Sequence, residues 1–98
     1  MDNIKVLKIA GDSNINAVVD VAIEEIKENM VVNIDCIGMK ASYQAVKVLI
    51  LFTERLLKMG YKFYIRPYYV KVDTITHEHD TIAKTAIRWT IIGQRKKY

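Results

Sequence analysis

The sequence predicts an α/β (α+β) protein of two layers: a four-stranded mixed sheet with two helices on one face, in the order βαβαββ. Three observations carry that prediction. Two stretches with apolar residues at helical spacing, 15–26 and 42–59, each follow a short β-type run, 4–10 and 31–37. The last third changes period: residues 61–72 and 84–93 alternate around a polar link, 73–80, which makes them a hairpin with an extended arm. Strand, helix, strand in succession implies a right-handed crossover with the first two strands parallel.

The first strand interleaves apolar residues with Lys5 and Lys8. Gly11-Asp12-Ser13-Asn14 is a turn and helix-start cluster, with Ser13 or Asp12 expected as the N-cap. Ile15, Val18, Val19, Ala22, Ile23 and Ile26 then share one arc, and Asn16, Asp20, Glu24, Lys27 and Glu28 lie on the other side. This helix covers a sheet. Its C-terminal end is acidic outside and is expected to face away from a polyanion. The second strand ends at Gly38. The second helix, 42–59, stops at Gly60, which suits a C′ glycine. Its apolar residues, from Ala45 to Leu57, leave a narrow polar strip at Gln44, Lys47, Glu54, Arg55 and Lys58, interrupted by Leu51. A helix apolar over most of its circumference must be buried on more than one side. With only two helices in the chain, a second protomer is the natural cover, so a homodimer is expected.

In the third strand Tyr61, Phe63 and Ile65 take one side and Lys62, Tyr64, Arg66 and Tyr68 the other. Pro67 is expected to mark an edge position or a bulge, with a change of phase after it. In the fourth strand Lys84 and Arg88 share a face opposite Ile87, Trp89 and Ile91.

Ninety-eight residues are expected to form one domain, 1–98, with a real core, since a chain of this size buries roughly two thirds of its unfolded surface. With 51% hydrophobic and 27% charged residues, the balance is that of a soluble globular protein. The start, MDNIKVLKIA, is too short and too charged for a signal peptide, and no apolar run reaches the roughly 18 residues of a membrane span. A cytoplasmic protein without a membrane partner is expected. Cys36, alone in an apolar run, reads as a structural thiol in a reducing compartment. Charge is unevenly placed: residues 1–59 hold seven Lys/Arg against eight Asp/Glu, whereas 60–98 hold eight against three and end in Arg95, Lys96 and Lys97. That asymmetry points to a polyanionic partner, with a merely solubilising tail as the other reading.

No catalytic set stands out, and no cofactor, metal or small-molecule substrate is expected; the chain does not read as an enzyme. His77-Glu78-His79 lacks a third ligand and reads as a solvated hairpin tip. There is no Gly-rich phosphate loop. Two groups suit nucleic acid. Lys62, Tyr64, Arg66 and Tyr68 alternate cations that neutralise phosphates with rings that stack on exposed bases; an ordinary solvent-facing strand is the competing reading. Lys40, Ser42, Gln44 and Lys47 sit where a strand, a glycine and a helix start converge, a junction that suits an anion; Ser and Gln there also serve as simple caps.

Three segments carry a resemblance: LKIAGDSNINAVVDVAI (7–23), IGMKASYQAVK (37–47) and Thr85-Ala86-Ile87-Arg88. Together they resemble the stage V sporulation protein S family, which looks like a bacterial branch of the Alba-like fold. The family pattern is close to I-G-x-G-A-x-x-Q-A-V-K, and Gly38, Ala41, Gln44, Ala45, Val46 and Lys47 match it in register. Leu7, Lys8, Ser13, Asn16, Val18 and Pro67 also fit. The resemblance implies a small dimer linked to sporulation or its regulation, binding DNA or RNA. The contacts it implies come from the first strand–helix loop (Ser13, Asn14, Asn16) and the start of the second helix (Lys40, Ser42, Gln44, Lys47). The hairpin arm adds Lys71 and Lys84, and the sheet Arg66 and Arg88. Two positions depart from the family: its first loop normally carries lysine where this chain has Gly11-Asp12, and the second glycine of its turn is Lys40 here. The alternative reading is a non-catalytic dimeric interaction or regulatory module that has lost nucleic-acid binding.

Overall fold

A computed structural model of the chain describes residues 4–96, so residues 1–3 and the tail lysine Lys97 lie outside the described structure. The elements are β1 (Val6–Ile9), α1 (Ile15–Asn29), β2 (Val31–Cys36), α2 (Met39–Lys58), β3 (Tyr61–Ile75) and β4 (Thr81–Arg95). The sheet order is β1-β2-β4-β3, with β1 parallel to β2 and β4 antiparallel to both its neighbours. This is the mixed βαβαββ sheet that the sequence predicts.

Both helices pack on one face. There Ile9, Val32, Ile34, Cys36 and Ile91 meet Val19, Ile23 and Ile26 of α1 and Ala45, Val48, Phe52 and Leu56 of α2. Pairing keeps partners on one side of a sheet, so Val6, Lys8, Asn33, Asp35, Arg88, Thr90, Ile92, Tyr64, Arg66 and Tyr68 line the other, open face. Asp20 and Arg55, 2.7 Å apart, link the outer edges of α1 and α2. The Cys36 thiol is buried and free, and it donates to the Ile87 carbonyl at 3.7 Å.

Three expectations need correction. The N-cap of α1 is Asn14, whose Oδ1 accepts from the Ala17 N–H at 3.0 Å; Ser13 instead closes the turn before it, accepting from the Ala10 N–H at 2.8 Å. The second helix opens one turn earlier, at Met39, with Gly38 as its N-cap. The hairpin strands are also longer, running to Ile75 and from Thr81, so the arm is paired almost to its tip. Pro67 takes the first of its two expected places, an edge position, and there is no bulge: the β3–β4 register is unbroken from Tyr61↔Arg95 to Ile75↔Thr81. Burial does change phase after Pro67, from Tyr61 and Phe63 to Tyr68, Val70, Val72 and Thr74. The strand leaves the helix layer there, so the shift comes from what covers it and not from a slip.

At about 3.3 Å per residue, β2 with six residues spans about 20 Å and the 15-residue β3 about 50 Å. The hairpin therefore projects beyond the helices, and the longest dimension of the molecule is 55 Å. The tip is a tight turn in which the Thr76 N–H bonds the Asp80 carbonyl at 2.9 Å and His79 takes φ 64°. His77 and His79 are both exposed in that turn.

Where β4 crosses under α1, Gly93 is buried, and a Cβ there would stand 3.1 and 3.2 Å from Ile26 Cγ2 and Cδ1. Gly93→Ala should cost about 1–3 kcal/mol through overpacking, read as a lower urea midpoint with an unchanged m-value.

Candidate nucleic-acid interface

Three segments meet at the carboxyl ends of the parallel strands. The turn after β1, the start of α2 and the arm enclose an open cleft of about 490 Å³, whose walls include Gly11, Gly38, Lys40, Val72 and Asp73. Clefts at this end of a parallel pair follow from the crossover: chain leaving each strand must turn there, exposing backbone groups. Gly38 holds φ 87°, a conformation glycine adopts freely, and no side chain caps the first turn of α2. The positive end of the α2 dipole therefore points, uncapped, at the cleft rim.

Lys40 supplies the charge. Its aliphatic stem lies across Gly11, so close that a Cβ on Gly11 would stand 2.9 Å from Lys40 Cδ and 3.0 Å from Cγ. The two positions at which the chain departs from the family pattern are thus in contact. A side chain is missing at position 11, and the lysine from position 40 occupies the space above it. The ammonium of Lys47, about two turns along α2, sits 4.3 Å above the Tyr43 ring, a cation–π contact that keeps it on the same helix face.

Most of the other residues expected to meet nucleic acid have partners within the chain. Ser42 Oγ donates to the Gly38 carbonyl at 2.7 Å, and Gln44 Nε2 donates to the Ser13 carbonyl at 3.2 Å, tying α2 to the first loop. Ser13 and Asn14 are occupied by the turn and cap described above, while Asn16 is exposed on the first turn of α1. On the arm, Lys71 donates to Thr85 Oγ1 at 2.8 Å and Lys84 projects from the opposite face of the ribbon. Arg66 lies on the open sheet face, its guanidinium 4.7 Å from the Tyr68 ring centre.

Arg88 is held by an acid that no local pattern in the sequence pairs with it. Its Nε and Nη2 donate to Asp35 Oδ1 and Oδ2 at 2.7 and 2.9 Å, a bidentate pair. The Asp35 side chain is 6% exposed and that of Arg88 25%. Hydrogen bonding to Asp35 holds the Arg88 pKa above its ordinary value, against the opposing effect of desolvation. Around this pair the Tyr68 hydroxyl and Thr90 Oγ1 are 2.7 Å apart, and Thr90 Oγ1 donates to Asn33 Oδ1 at 2.6 Å. One signal for a polar cluster is present in the sequence: Asn33 and Asp35 fall at alternate positions of an otherwise apolar strand, which places both on the side away from the helices.

A family model described as Stage V sporulation protein S (SpoVS) matches residues 5–94. Among solved structures, Alba from Thermoplasma volcanium has a similar fold, with a TM-score of 0.62 at 12% sequence identity, covering 90% of this chain and 99% of that one. No curated protein sequence matches the chain. Among the described residues no helix is long and apolar enough to cross a membrane, and no group of three or more His, Cys, Asp or Glu side chains could hold a metal ion.

Removing one partner of a buried ion pair strands the other charge. Arg88→Ala should destabilise the fold by about 3 kcal/mol in urea unfolding, and adding Asp35→Asn to it should recover part of that loss.

Proposed function

The chain belongs to the stage V sporulation protein S family, and from that premise we propose that it is a small, dimeric nucleic-acid-binding protein with a regulatory role linked to sporulation. It contacts the phosphate backbone through the N-terminus of α2 and the β3–β4 arm. The observation that carries this reading is Lys40 laid across Gly11 at the uncapped start of α2. The pattern that the sequence resembles carries a lysine in the first loop; in this chain the stem of Lys40 reaches that loop from the neighbouring turn. Lys47 extends the positive patch along α2, and Lys71 and Lys84 extend it along the arm. Lysines and backbone amides read phosphates and not bases, so binding is sequence-tolerant.

The dimer half of the proposal is supported by α2. Met39, Tyr43, Val46, Ile50 and Leu57 are exposed at steps of four, three, four and seven residues, a stripe down one side of the helix, with Ile50 at its middle 53% exposed. Isolated exposed apolar residues are normal, but a continuous helical stripe opposite the core is the surface a second copy would bury.

A second reading has its own support. Asp12 is exposed in the first loop and Asp73 lines the cleft, and both repel phosphate. Under that reading the chain is a dimeric interaction module without nucleic-acid binding or catalysis.

Titration of labelled DNA and RNA duplexes at several salt concentrations separates the two. Nucleic-acid binding gives an affinity that falls with salt, with a log–log slope of about −0.9 per neutralised phosphate of duplex DNA. Replacing Lys40 and Lys47 by alanine should flatten that slope by about 0.9 for each phosphate no longer neutralised. Absence of binding at low salt selects the second reading. For the dimer, light scattering at micromolar concentration should give twice the chain mass, and Ile50→Lys should reduce it to one chain. A wild-type mass of one chain counts against the assembly.

A further inference from the structure

The cleft and the arm leave unused the open face of the sheet, which neither helix covers. Its exposed centre is aromatic and basic. Tyr64, 63% exposed, lies beside its cross-strand partner Ile92, 50% exposed, and the two rise from the surface as one apolar step. Arg66 follows on the same face and lies over Tyr68. Between these side chains and Thr90 is a shallow depression of about 220 Å³.

The charges on this face are one-sided. Among the described residues Lys8, Lys62, Arg66 and Arg88 project from the body of the sheet, with Lys84 further along the arm, against Asp35 alone. Asp35 is in turn neutralised by Arg88. The exposed acids Asp20, Glu24, Glu28 and Glu54 stand on the helix layer, on the far side of the molecule. A polyanion approaching the open face therefore meets uncompensated cations, whereas on the helices acids and bases are interspersed, Lys27 pairing with Glu24 and Arg55 with Asp20.

Hydrogen bonds tie down part of the floor of the depression: Tyr68 is held through Thr90 to Asn33. Tyr64 is the ring left free above it. An exposed ring on a sheet surface offers a stacking partner to an unpaired base; in a duplex the base faces are already covered by their neighbours.

We propose that the open sheet face binds single-stranded nucleic acid, with a base stacked on Tyr64 against Ile92 and the flanking phosphates paired with Arg66 and Lys62. This rests on the reading of the protein as a nucleic-acid binder, but not on the cleft: it adds a second surface with a different preference. Because stacking accepts any base, the site discriminates by strandedness and not by sequence.

The test is fluorescence anisotropy with a labelled oligothymidine of about 12 nucleotides, within the span of a single-strand surface, against a DNA duplex of equal length. Each is titrated with wild type, Tyr64→Ala and Tyr64→Phe. Tyr64→Ala should weaken oligothymidine binding roughly tenfold, Tyr64→Phe should retain it, and duplex binding should stay the same in both. Tyr64 is exposed on an edge strand, so circular dichroism should show both variants folded. Duplex binding without oligothymidine binding overturns this inference and leaves the proposed function standing. So does a Tyr64→Ala variant that binds oligothymidine as wild type does. If neither nucleic acid binds, this inference and the proposed function both fall.

Discussion

Two helices cover one face of this four-stranded sheet and nothing more, and most of the molecule's character follows from that shortage. The covered face is an ordinary apolar core from Ile9 to Ile91. The other face has to meet water while carrying the side chains that alternate with the core. It does so with an internal polar lattice, in which Asp35 is clamped by Arg88, and Tyr68, Thr90 and Asn33 form a chain of hydrogen bonds. The same shortage leaves α2 apolar on its outer side and leaves the hairpin to run on past the helices as a free arm. A homodimer along α2 would relieve the first. The arm is stabilised by its own unbroken pairing.

The distribution of charge follows the same division. A run of carboxylates lies on α1, which turns Asp20, Glu24 and Glu28 outward. Cations gather where backbone is exposed: at the start of α2, along the arm and on the open face. Lys40 and Gly11 bring the two patterns together at one point. Because position 11 has no side chain, the lysine stem packs into the space above it, and Lys40 lines the cleft. A bulkier residue in that loop would push the charge away, so the glycine and the lysine act as one feature.

Much of this is legible in the sequence because it is local. The 3.6-residue period of 15–26, the two-residue alternation of 61–68 and the crossover rule together give the layers, the parallel pair and the hairpin. What escapes is decided either by competition among equivalent residues or by distant contacts. Three consecutive capping residues, Asp12, Ser13 and Asn14, compete for one helix start, and only the turn that Ser13 closes assigns the cap to Asn14. Lys40 and Ala41 read as turn residues after a glycine, yet both are sound helix formers, and Gly38 serves as the cap itself. Pro67, by contrast, is legible as an edge residue, and only the register rules out a bulge, the other reading. The pairing of Asp35 with Arg88 spans 53 residues of sequence and depends on the β2–β4 register, which no local pattern encodes. For the same reason the sequence marks the segments of the candidate site without showing which of their residues are taken up within the chain: Ser42, Gln44, Ser13 and Asn14 hold the junction together, while the Lys40 stem crosses Gly11.

Amide chemical-shift mapping of isotopically labelled protein against a short DNA duplex tests most directly the proposed contact of the β2–α2 junction and the arm with a nucleic-acid backbone. Shifts should concentrate in residues 38–42 and along the arm, 71–84, with the outer face of α1, residues 20–28, unmoved. Shifts confined to α1, or none at a concentration where binding is saturated, would contradict it.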